Sequence, residues 1–344
     1  MTGHTGFKGA WLSLWLRQLG ADVWGYSLPP DTVPCLFTLL GLDDSITSTY
    51  GDLRDAASVR AAMEKAQPDI VFHLAAQALV RRGYAEPVDT YSTNVMGTVH
   101  VLDAVRNMPS VKAVVIVTTD KCYENREWAW PYRENDRLGG RDPYSSSKAC
   151  AEIITAAYRE SFLAGRNVAV ATARAGNVIG GGDWAEDRLI PDCVRAFKQG
   201  ATVVIRNPAA VRPWQHVLEP LAGYLLLAER LCGKDERFAS AFNFGPAEED
   251  VRPVSWLVAE SARLWGPGAA WEVDGKDQPH EAQLLALEAV KAKRALDWRP
   301  RLNLPQALAW TIGWYRRREE GDAVLPMTLG QIEEYMTLHE TETQ

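Results

Sequence analysis

Short apolar runs alternate along the chain with amphipathic segments and polar loops. The clearest run, Ala-Val-Val-Ile-Val at 113–117, is followed at once by the polar string Thr-Thr-Asp-Lys at 118–121. An uninterrupted run of small and β-branched residues bounded by polar ones predicts a buried strand of a parallel sheet. Because open α/β sheets bind ligands beyond the carboxyl ends of their strands, we expect residues 118–121 to lie in a functional site.

The same alternation predicts the rest of a sheet. Strands separated by helices indicate βαβ units, and these build a Rossmann-type doubly wound parallel sheet. The predicted strands are 22–27, 45–50, 69–76, 113–117 and 167–172, and the predicted helices are 10–19, 56–67, 88–107 and the segment from Tyr144 onward.

Beyond about residue 175 the pattern changes to a glycine-rich loop, prolines and separate helices. We therefore predict two domains: a Rossmann domain at 1–175, rejoined by about 214–245, and a smaller α+β substrate domain formed mainly by 176–344. The short acidic tail at 337–344 is expected to be frayed. The helices predicted in this half are 218–231, 255–264, 288–296 and 304–320.

Glycines three residues apart open the chain at Gly3, Gly6 and Gly9. This spacing gives a tight turn and lets the backbone approach a pyrophosphate at a helix N-terminus. Such a fingerprint normally follows a first, central strand, yet only Met1 and Thr2 precede Gly3. We expect that strand to be missing here and the natural protein to begin further upstream. An intact mass of 38.2 kDa for the protein from its native source would disprove this.

Tyr144 and Lys148 are four residues apart, so a helix places them on one face. A free tyrosine has a pKa of about 10, and a nearby ammonium group lowers it. With the hydroxyl of Thr119 from the preceding strand end, the pair could remove a proton from an alcohol. A Tyr and a Lys at this spacing on an ordinary surface helix are the alternative, so the pair needs support from other residues.

Composition limits the possible functions. Lys and Arg total 37 against 44 Asp and Glu, a net charge of −7 that argues against a general nucleic-acid binder. The five cysteines have neither metal nor redox spacing, which is typical of reduced thiols in a cytoplasmic protein. No apolar run approaches the ~20 residues of a membrane helix, and no signal-peptide core opens the chain.

Collected together, these motifs resemble the extended short-chain dehydrogenases/reductases, the NAD-dependent epimerase/dehydratase family that modifies nucleotide sugars. The resemblance spans essentially the whole chain. It rests on Thr-Gly-His-Thr-Gly-Phe-Lys-Gly at 2–9, Gly-Asp-Leu-Arg-Asp at 51–55, His-Leu-Ala-Ala-Gln at 73–77, Thr93-Asn94 with Gly97-Thr98, and Tyr144 with Lys148.

The resemblance implies NAD as cofactor and a nucleotide-sugar substrate. Ser27 ends the second strand where the family usually has an acid that binds the ribose of NAD, so NAD over NADP is implied by the family alone. Asp52 is expected to meet the adenine. The implied cofactor-binding residues are Gly3, Thr5, Gly6, Phe7, Lys8, Gly9, Asp52, Leu53, Leu74, Ala75, Ala76, Thr93, Tyr144 and Lys148.

Finer features resemble the family's 4,6-dehydratases that act on a CDP-sugar, which implies CDP-glucose as substrate. Asp120-Lys121 follows Thr119, where the dTDP-sugar enzymes carry Asp-Glu. The implied reaction is loss of water with internal hydride transfer through NAD. Tyr144, Lys148 and Thr119 would then act at C4, with the Tyr144 pKa lowered by Lys148, while Asp120 and Lys121 would act at C5 and C6. A salt bridge from Lys121 to Glu124 that only shapes the loop is the alternative.

Two phosphates require cations, and arginine forks suit them. Arg212 is the first candidate, followed by Arg188 and Arg206, with Asn177 donating to the phosphates. Helices 88–107 and 144–162 are expected to pair chains into a dimer or tetramer. Two other functions remain open: another nucleotide-sugar dehydratase or 4-epimerase, and a non-catalytic NAD(P)-binding regulator.

Overall fold

The computed structural model describes residues 1–274 and 284–338. Its helices are α1 Phe7–Gln18, α2 Leu36–Leu39, α3 Ala56–Ala66, α4 Val80–Ala85, α5 Pro87–Tyr91, α6 Gly97–Arg106, α7 Pro143–Tyr158, α8 Leu189–Lys198, α9 Leu218–Cys232, α10 Val254–Trp265, α11 Val290–Ala295, α12 Leu304–Glu319 and α13 Val324–Thr337. Its strands are β1 Trp24–Ser27, β2 Thr47–Tyr50, β3 Ile70–His73, β4 Ala113–Val117, β5 Ala169–Ala175, β6 Val178–Ile179, β7 Thr202–Ile205, β8 Val211–Arg212, β9 Gln215–His216, β10 Ala241–Phe244, β11 Arg252–Pro253 and β12 Ala270–Val273.

The main sheet is parallel, which confirms the predicted Rossmann-type fold. β3, β4, β5 and β10 follow one another in that order, and β1 pairs with β2. Alternate side chains of β4 enter two separate cores. Val115 packs with α1 and α9, whereas Val114 packs with α3 and α6. Both faces of the strand are covered, which explains its continuous apolar run.

Met1–Gly3 occupies the central position of the sheet, between β1 and β3. The Thr2 amide donates to the Phe72 carbonyl over 2.9 Å, and the Gly3 amide donates to the Tyr26 carbonyl over 3.0 Å. Thr2 thereby forms parallel bridges to both neighbouring strands. Met1–Gly3 thus lies where the strand that the sequence was expected to lack would run, and single bridges at Thr2 join it to β1 and β3.

The predicted element bounds differ from the structure at several ends. The 88–107 helix is interrupted by a π-helical turn at Ser92–Met96, between α5 and α6. The 69–76 strand ends at His73, and β5 runs on to Ala175. The sequence patterns did not predict α8 and α13. The tail predicted to be frayed, 337–344, lies largely outside the described residues.

The second half of the chain both completes the main sheet and builds a smaller part beside it. β10 pairs with β5 at the sheet edge, and α9 packs on β4 and β5. The smaller part contains short pairs, β7 with β12, β8 with β11 and β6 with β9, together with α8, α10 and α12. None of the helices at 1–274 or 284–338 is long and apolar enough to cross a membrane.

Candidate active site

Strand β4 and helix α7 carry the predicted catalytic residues to one place. Asp142 caps α7 by accepting from the Ser145 amide over 2.9 Å, and Pro143 occupies the first turn. Both features favour a helix that starts here, which puts Tyr144 in its first turn. Lys148 follows one turn later, and its Nζ donates to the Val117 carbonyl at the end of β4 over 3.1 Å.

Thr119, Asp120 and Lys121 form a connected group directly after β4. The Thr119 hydroxyl donates to Asp120 Oδ1 over 2.9 Å, and Lys121 Nζ lies 3.2 Å from the same oxygen. Asp120 is fully buried, and its Oδ2 has no hydrogen-bond partner within the described ranges. A buried carboxyl oxygen without a partner is costly in a protein at rest. It is well suited to meet a hydroxyl group of a bound substrate.

Lys121 is held by the site rather than by the loop that follows. Its Nζ donates to Asn177 Oδ1 over 3.1 Å as well as to Asp120. Glu124, the partner in the alternative reading, instead pairs with Arg126 and Arg137. The salt-bridge alternative is therefore wrong for this structure. Asn177, predicted to donate to phosphates, uses its oxygen to orient Lys121.

Burial dominates the protonation of the Tyr144–Lys148 pair. It raises the pKa of Tyr144 to about 12, although a hydrogen bond with Thr119 and the charge of Arg188 act in the opposite direction. Burial also lowers the pKa of Lys148 to about 8, against the pull of Glu152. The expected lowering of the Tyr144 pKa by Lys148 is thus not what these residues produce by themselves. Additional positive charge near the phenol is needed to lower the pKa of Tyr144 so that it can act as a base.

The glycine turn fits a dinucleotide. Gly3 has a φ of +76°, and a Cβ there would lie 2.7 Å from the Ala75 nitrogen. A Cβ on Gly9 would lie 1.9 Å from the Gly3 carbonyl oxygen. Gly6 precedes α1, and within the described chain no side chain caps that helix. The amides of its first turn are therefore available to a pyrophosphate.

The other predicted cofactor residues differ in their surroundings, and Leu74 and Ala75 lie directly against Gly3. The Thr5 hydroxyl shares a 2.9 Å hydrogen bond with the hydroxyl of Ser27, the residue that replaces the usual acid. Asp52 is held by Arg54 in a salt bridge, and so its carboxylate is already engaged. Of the remaining members, Leu53 is buried, whereas Phe7, Leu74, Ala75, Ala76 and Thr93 are partly exposed.

Lys8 connects the cofactor turn to the catalytic group. Burial lowers the pKa of Lys8 to about 7, and the charges of Arg188, Lys148 and Lys121 lower it further, while Asp120 opposes them. Lys8 therefore lies within reach of the charges of three other basic groups in the same site. Such a concentration of positive charge suits an anionic ligand such as a diphosphate.

The predicted substrate arginines differ in their surroundings. Arg188 pairs with the buried Asp183 over 2.9 Å and lies close enough to Tyr144 to influence its pKa. Arg206 is exposed, and its guanidinium lies 4.0 Å from the Asp187 carboxylate, at the upper limit for an ion pair. Arg212 is buried in β8 and donates to the Val211 carbonyl over 2.9 Å. The structure thus brings Arg188 to the catalytic group and shows no contact between Arg206 and that group in the described ranges.

The sequence patterns did not identify two buried acids near the site. Asp183 holds Arg188, and Glu152 lies one helical turn beyond Lys148. The spacing of Tyr144, Lys148 and Glu152, four residues each time, could have identified Glu152 as a member of the same helix face. Nothing in the sequence near Asp183 indicates its partner.

Residues 1–311 match the GDP-mannose 4,6 dehydratase family, and the chain belongs to that family. It is 50% identical over 342 residues to a CDP-glucose 4,6-dehydratase of Salmonella typhimurium, with 98% of this chain and 95% of the relative covered. A dTDP-glucose 4,6-dehydratase of Streptomyces antibioticus is 29% identical over 279 residues, covering 80% of this chain and 77% of the relative.

Solved structures share the fold. A UDP-glucose 4-epimerase from Stenotrophomonas maltophila with bound NAD superposes with a TM-score of 0.80 at 20% identity, covering 93% of this chain and 98% of that one. A dTDP-glucose 4,6-dehydratase from Bacillus anthracis in complex with NAD gives a TM-score of 0.77 at 22% identity, covering 93% and 96%. The predicted α/β fold is confirmed by both.

Proposed function

We propose that the chain is a CDP-glucose 4,6-dehydratase, an NAD-dependent hydro-lyase that converts CDP-glucose to CDP-4-keto-6-deoxyglucose and water. The relative that is 50% identical over nearly the full length supports this substrate. The observation that carries the reaction type is the hydrogen-bonded Thr119–Asp120–Lys121 group beside Tyr144 and Lys148, in which Thr119 and Asp120 are buried. A 4-epimerase needs no such acid and amine after the strand hydroxyl.

Tyr144 and Thr119 act at C4 in this mechanism. Thr119 holds the C4 oxygen, and the Tyr144 phenolate removes the hydroxyl proton. When bound, NAD supplies a reversible two-electron acceptor and a positive ring whose charge favours that phenolate. Arg188 adds its charge on the protein side. Gly3, Gly6 and Gly9 would hold the dinucleotide through backbone amides, and Thr5, Lys8 and Thr93 would contribute to the same site.

Asp120 and Lys121 act in the loss of water. Once C4 is a ketone, the C5 proton is acidic, and Lys121 would remove it after giving its own proton to Asp120, whose Oδ1 lies 3.2 Å from the amine. The same amine would return a proton to C5 when C6 is reduced. Asp120 would then pass that proton to the departing C6 hydroxyl through Oδ2, the oxygen that has no partner in the described ranges. Asn177 orients Lys121 for this step.

The proposal also assigns a ligand to each of the two predicted domains. Residues 1–175 with 214–245 hold the cofactor, and 176–344 mainly bind the nucleotide sugar through Arg188, Arg206 and Arg212.

The five free cysteines agree with a reducing cytoplasm, which cell fractionation can test. A homo-oligomer is supported by large apolar side chains that are exposed on helices α5 to α7 and their π-helical continuations: Val88, Tyr91, Met96, Ile153 and Phe162.

Ile153→Asp tests the oligomer, with Leu325→Asp on α13 as a control of similar chemistry. We expect the Ile153 variant to elute at a lower mass from a sizing column and the control to elute with the wild type. Equal elution of all three proteins would contradict pairing through α7.

The function is tested by incubating the protein with CDP-glucose and, separately, with dTDP-glucose. The expected result is a 4-keto-6-deoxy sugar from CDP-glucose alone, detected by its base-induced absorbance, with no net reduced cofactor. Epimerised sugar without loss of water would favour a 4-epimerase. Cofactor binding without any change in either sugar would favour a regulator.

A further inference from the structure

A buried polar network lies behind the proposed catalytic group and takes no part in the mechanism above. Its centre is Glu152 on α7. Glu152 Oε2 accepts from Arg174 Nη2 and from the Thr172 hydroxyl, each over 2.7 Å, and Oε1 accepts from the Thr118 hydroxyl. Both members of the ion pair are nearly inaccessible, with 4% exposure for Arg174 and 3% for Glu152.

Arg174 extends the network to the segment that carries Asp120 and Lys121. Its Nη1 donates to the Tyr123 hydroxyl over 2.8 Å. Tyr123 follows directly on the 3₁₀ turn Asp120–Cys122 and donates in turn to Asn243 Oδ1 on β10 over 2.7 Å. The Tyr123 phenol is therefore fixed from both sides at the end of this turn.

The two ends of the network thus correspond to the two stages of the proposed reaction. Glu152 lies one turn from Lys148, whose pKa it raises, and bonds Thr118 beside Thr119. Tyr123 lies two residues from Lys121. The Glu152 end therefore lies beside the residues that act in the oxidation at C4. The Tyr123 end lies beside the residues that act in the loss of water.

A buried ion pair is poor evidence for stability, because desolvation of the two charges offsets their attraction. The hydrogen bonds of such a network nevertheless fix the relative positions of the groups that they join. Arg174 Nε is the one atom of this guanidinium that has no partner within the described ranges. Here the network joins three separate elements, α7, β5 and β10, to one turn of the chain. The network is therefore placed where it can hold that turn in position.

We infer that Tyr123 and Arg174 are positioning residues that hold Asp120 and Lys121 in register with Tyr144 and Lys148. This inference rests on the proposed function. Loss of the Tyr123 hydroxyl releases the turn while Glu152 keeps its arginine. The variant Tyr123→Phe should therefore oxidise C4 at nearly the normal rate and lose water slowly.

Tyr132→Phe is the matched control. The Tyr132 ring stacks on Tyr123 with centroids 5.1 Å apart, and its hydroxyl bonds Asn125 and Arg126 rather than Arg174. Both variants lose one phenolic hydroxyl from the same aromatic cluster. A general loss of packing or stability should affect them alike, which thermal denaturation can verify.

The experiment mixes each holoenzyme rapidly with CDP-glucose and follows two signals, the near-ultraviolet absorbance of reduced nicotinamide and the release of keto sugar. For Tyr123→Phe we expect product release to fall about tenfold, since small misplacements of catalytic groups have effects of that size or larger. Reduced nicotinamide should accumulate during turnover. Tyr132→Phe should resemble the wild type in both signals.

Equal behaviour of the two variants, or a parallel loss of both signals in Tyr123→Phe, would overturn the inference. If Tyr123→Phe does not fold, Arg174→Lys, which keeps a cation beside Glu152, should show the same accumulation, and its absence would also overturn it. Failure of the wild type to form any keto sugar would instead overturn the proposed function.

Discussion

The carboxylate of Asp183 accepts a hydrogen bond from the guanidinium of Arg188 over 2.9 Å, and the two residues are five positions apart in the loop that leads into α8. The backbone of Asp183 is itself fixed by Tyr315 of α12, whose hydroxyl donates to the Asp183 carbonyl over 2.6 Å and accepts from its amide over 3.0 Å. A helix near the end of the chain thereby sets the position of an arginine beside Tyr144.

Asp183→Asn should weaken substrate binding without a comparable loss of chemistry. The amide keeps the shape of the side chain but removes the charge that orients Arg188, a charge-assisted bond that is stronger than a neutral one. We expect KM for CDP-glucose to rise about tenfold and kcat to change little, which corresponds to the loss of one such bond. Steady-state kinetics measure both constants.

Asp187→Asn is the control for this substitution. Asp187 is exposed and pairs with Arg81 and, at 4.0 Å, with Arg206. Its loss should leave KM nearly unchanged, because exposed ion pairs contribute little. An equal rise in KM in both variants would show that general loop charge, rather than the Asp183–Arg188 bond, controls binding.

Lys121→Met should abolish most of the turnover. The substitution removes the amine that Asp120 and Asn177 hold and leaves a side chain of similar length. Loss of a proton-transfer group lowers rates by about 10²–10⁴-fold. Lys112→Met, which removes an exposed lysine paired with Asp69, is the control and should keep normal rates. Full turnover of the Lys121 variant would rule out a catalytic amine at this position.

Sequence patterns predicted the parts of this fold that depend on local chemistry. The Ala113–Val117 strand was predicted with correct bounds because both of its faces are buried and the apolar run ends where the polar residues of the site begin at Thr118. The helix starting near Tyr144 follows from its Asp142 cap and Pro143. The glycine spacing at the N-terminus likewise encodes a backbone shape.

Relations between distant residues could not be predicted in this way. Arg188 is held by Asp183, and Asp183 by Tyr315 more than a hundred positions later, so no local pattern contains the arrangement. Lys121 was given Glu124 as its alternative partner because the two are close in sequence. The fold instead brings Asn177 to it.

Gly9→Ala should destroy cofactor binding. The added Cβ would lie 1.9 Å from the Gly3 carbonyl oxygen, so either the turn or α1 has to move. Gly313→Ala is the control, because nothing lies within 4 Å of a Cβ at that helical position. We expect the control to bind NAD normally and to gain up to about 1 kcal/mol of stability, since alanine favours a helix over glycine. Calorimetric titration with NAD measures the difference, and tight binding by the Gly9 variant would contradict a closely packed turn.

Glu219 should make the stability of the protein depend on pH. Its carboxylate lies fully buried in α9, where Oε1 accepts from the amides of Arg301 and Leu302, and Oε2 accepts from the Tyr335 hydroxyl over 2.8 Å. Burial raises the pKa of Glu219 to about 7 from the usual 4.5, against these hydrogen bonds. The folded state therefore holds a proton that the unfolded chain releases between those two values.

The sign of the effect follows from that proton. Stability contributed by protonated Glu219 is complete below pH 4.5, falls as the pH rises through the window up to about 7, and is constant above it. Glu219→Gln keeps an oxygen for the two amides but cannot ionise, so its urea midpoint should change less with pH across this window. If the wild type and the Gln variant lose stability in parallel between these pH values, then Glu219 is not the group that titrates, and the α9–α13 contact through Tyr335 does not depend on its proton.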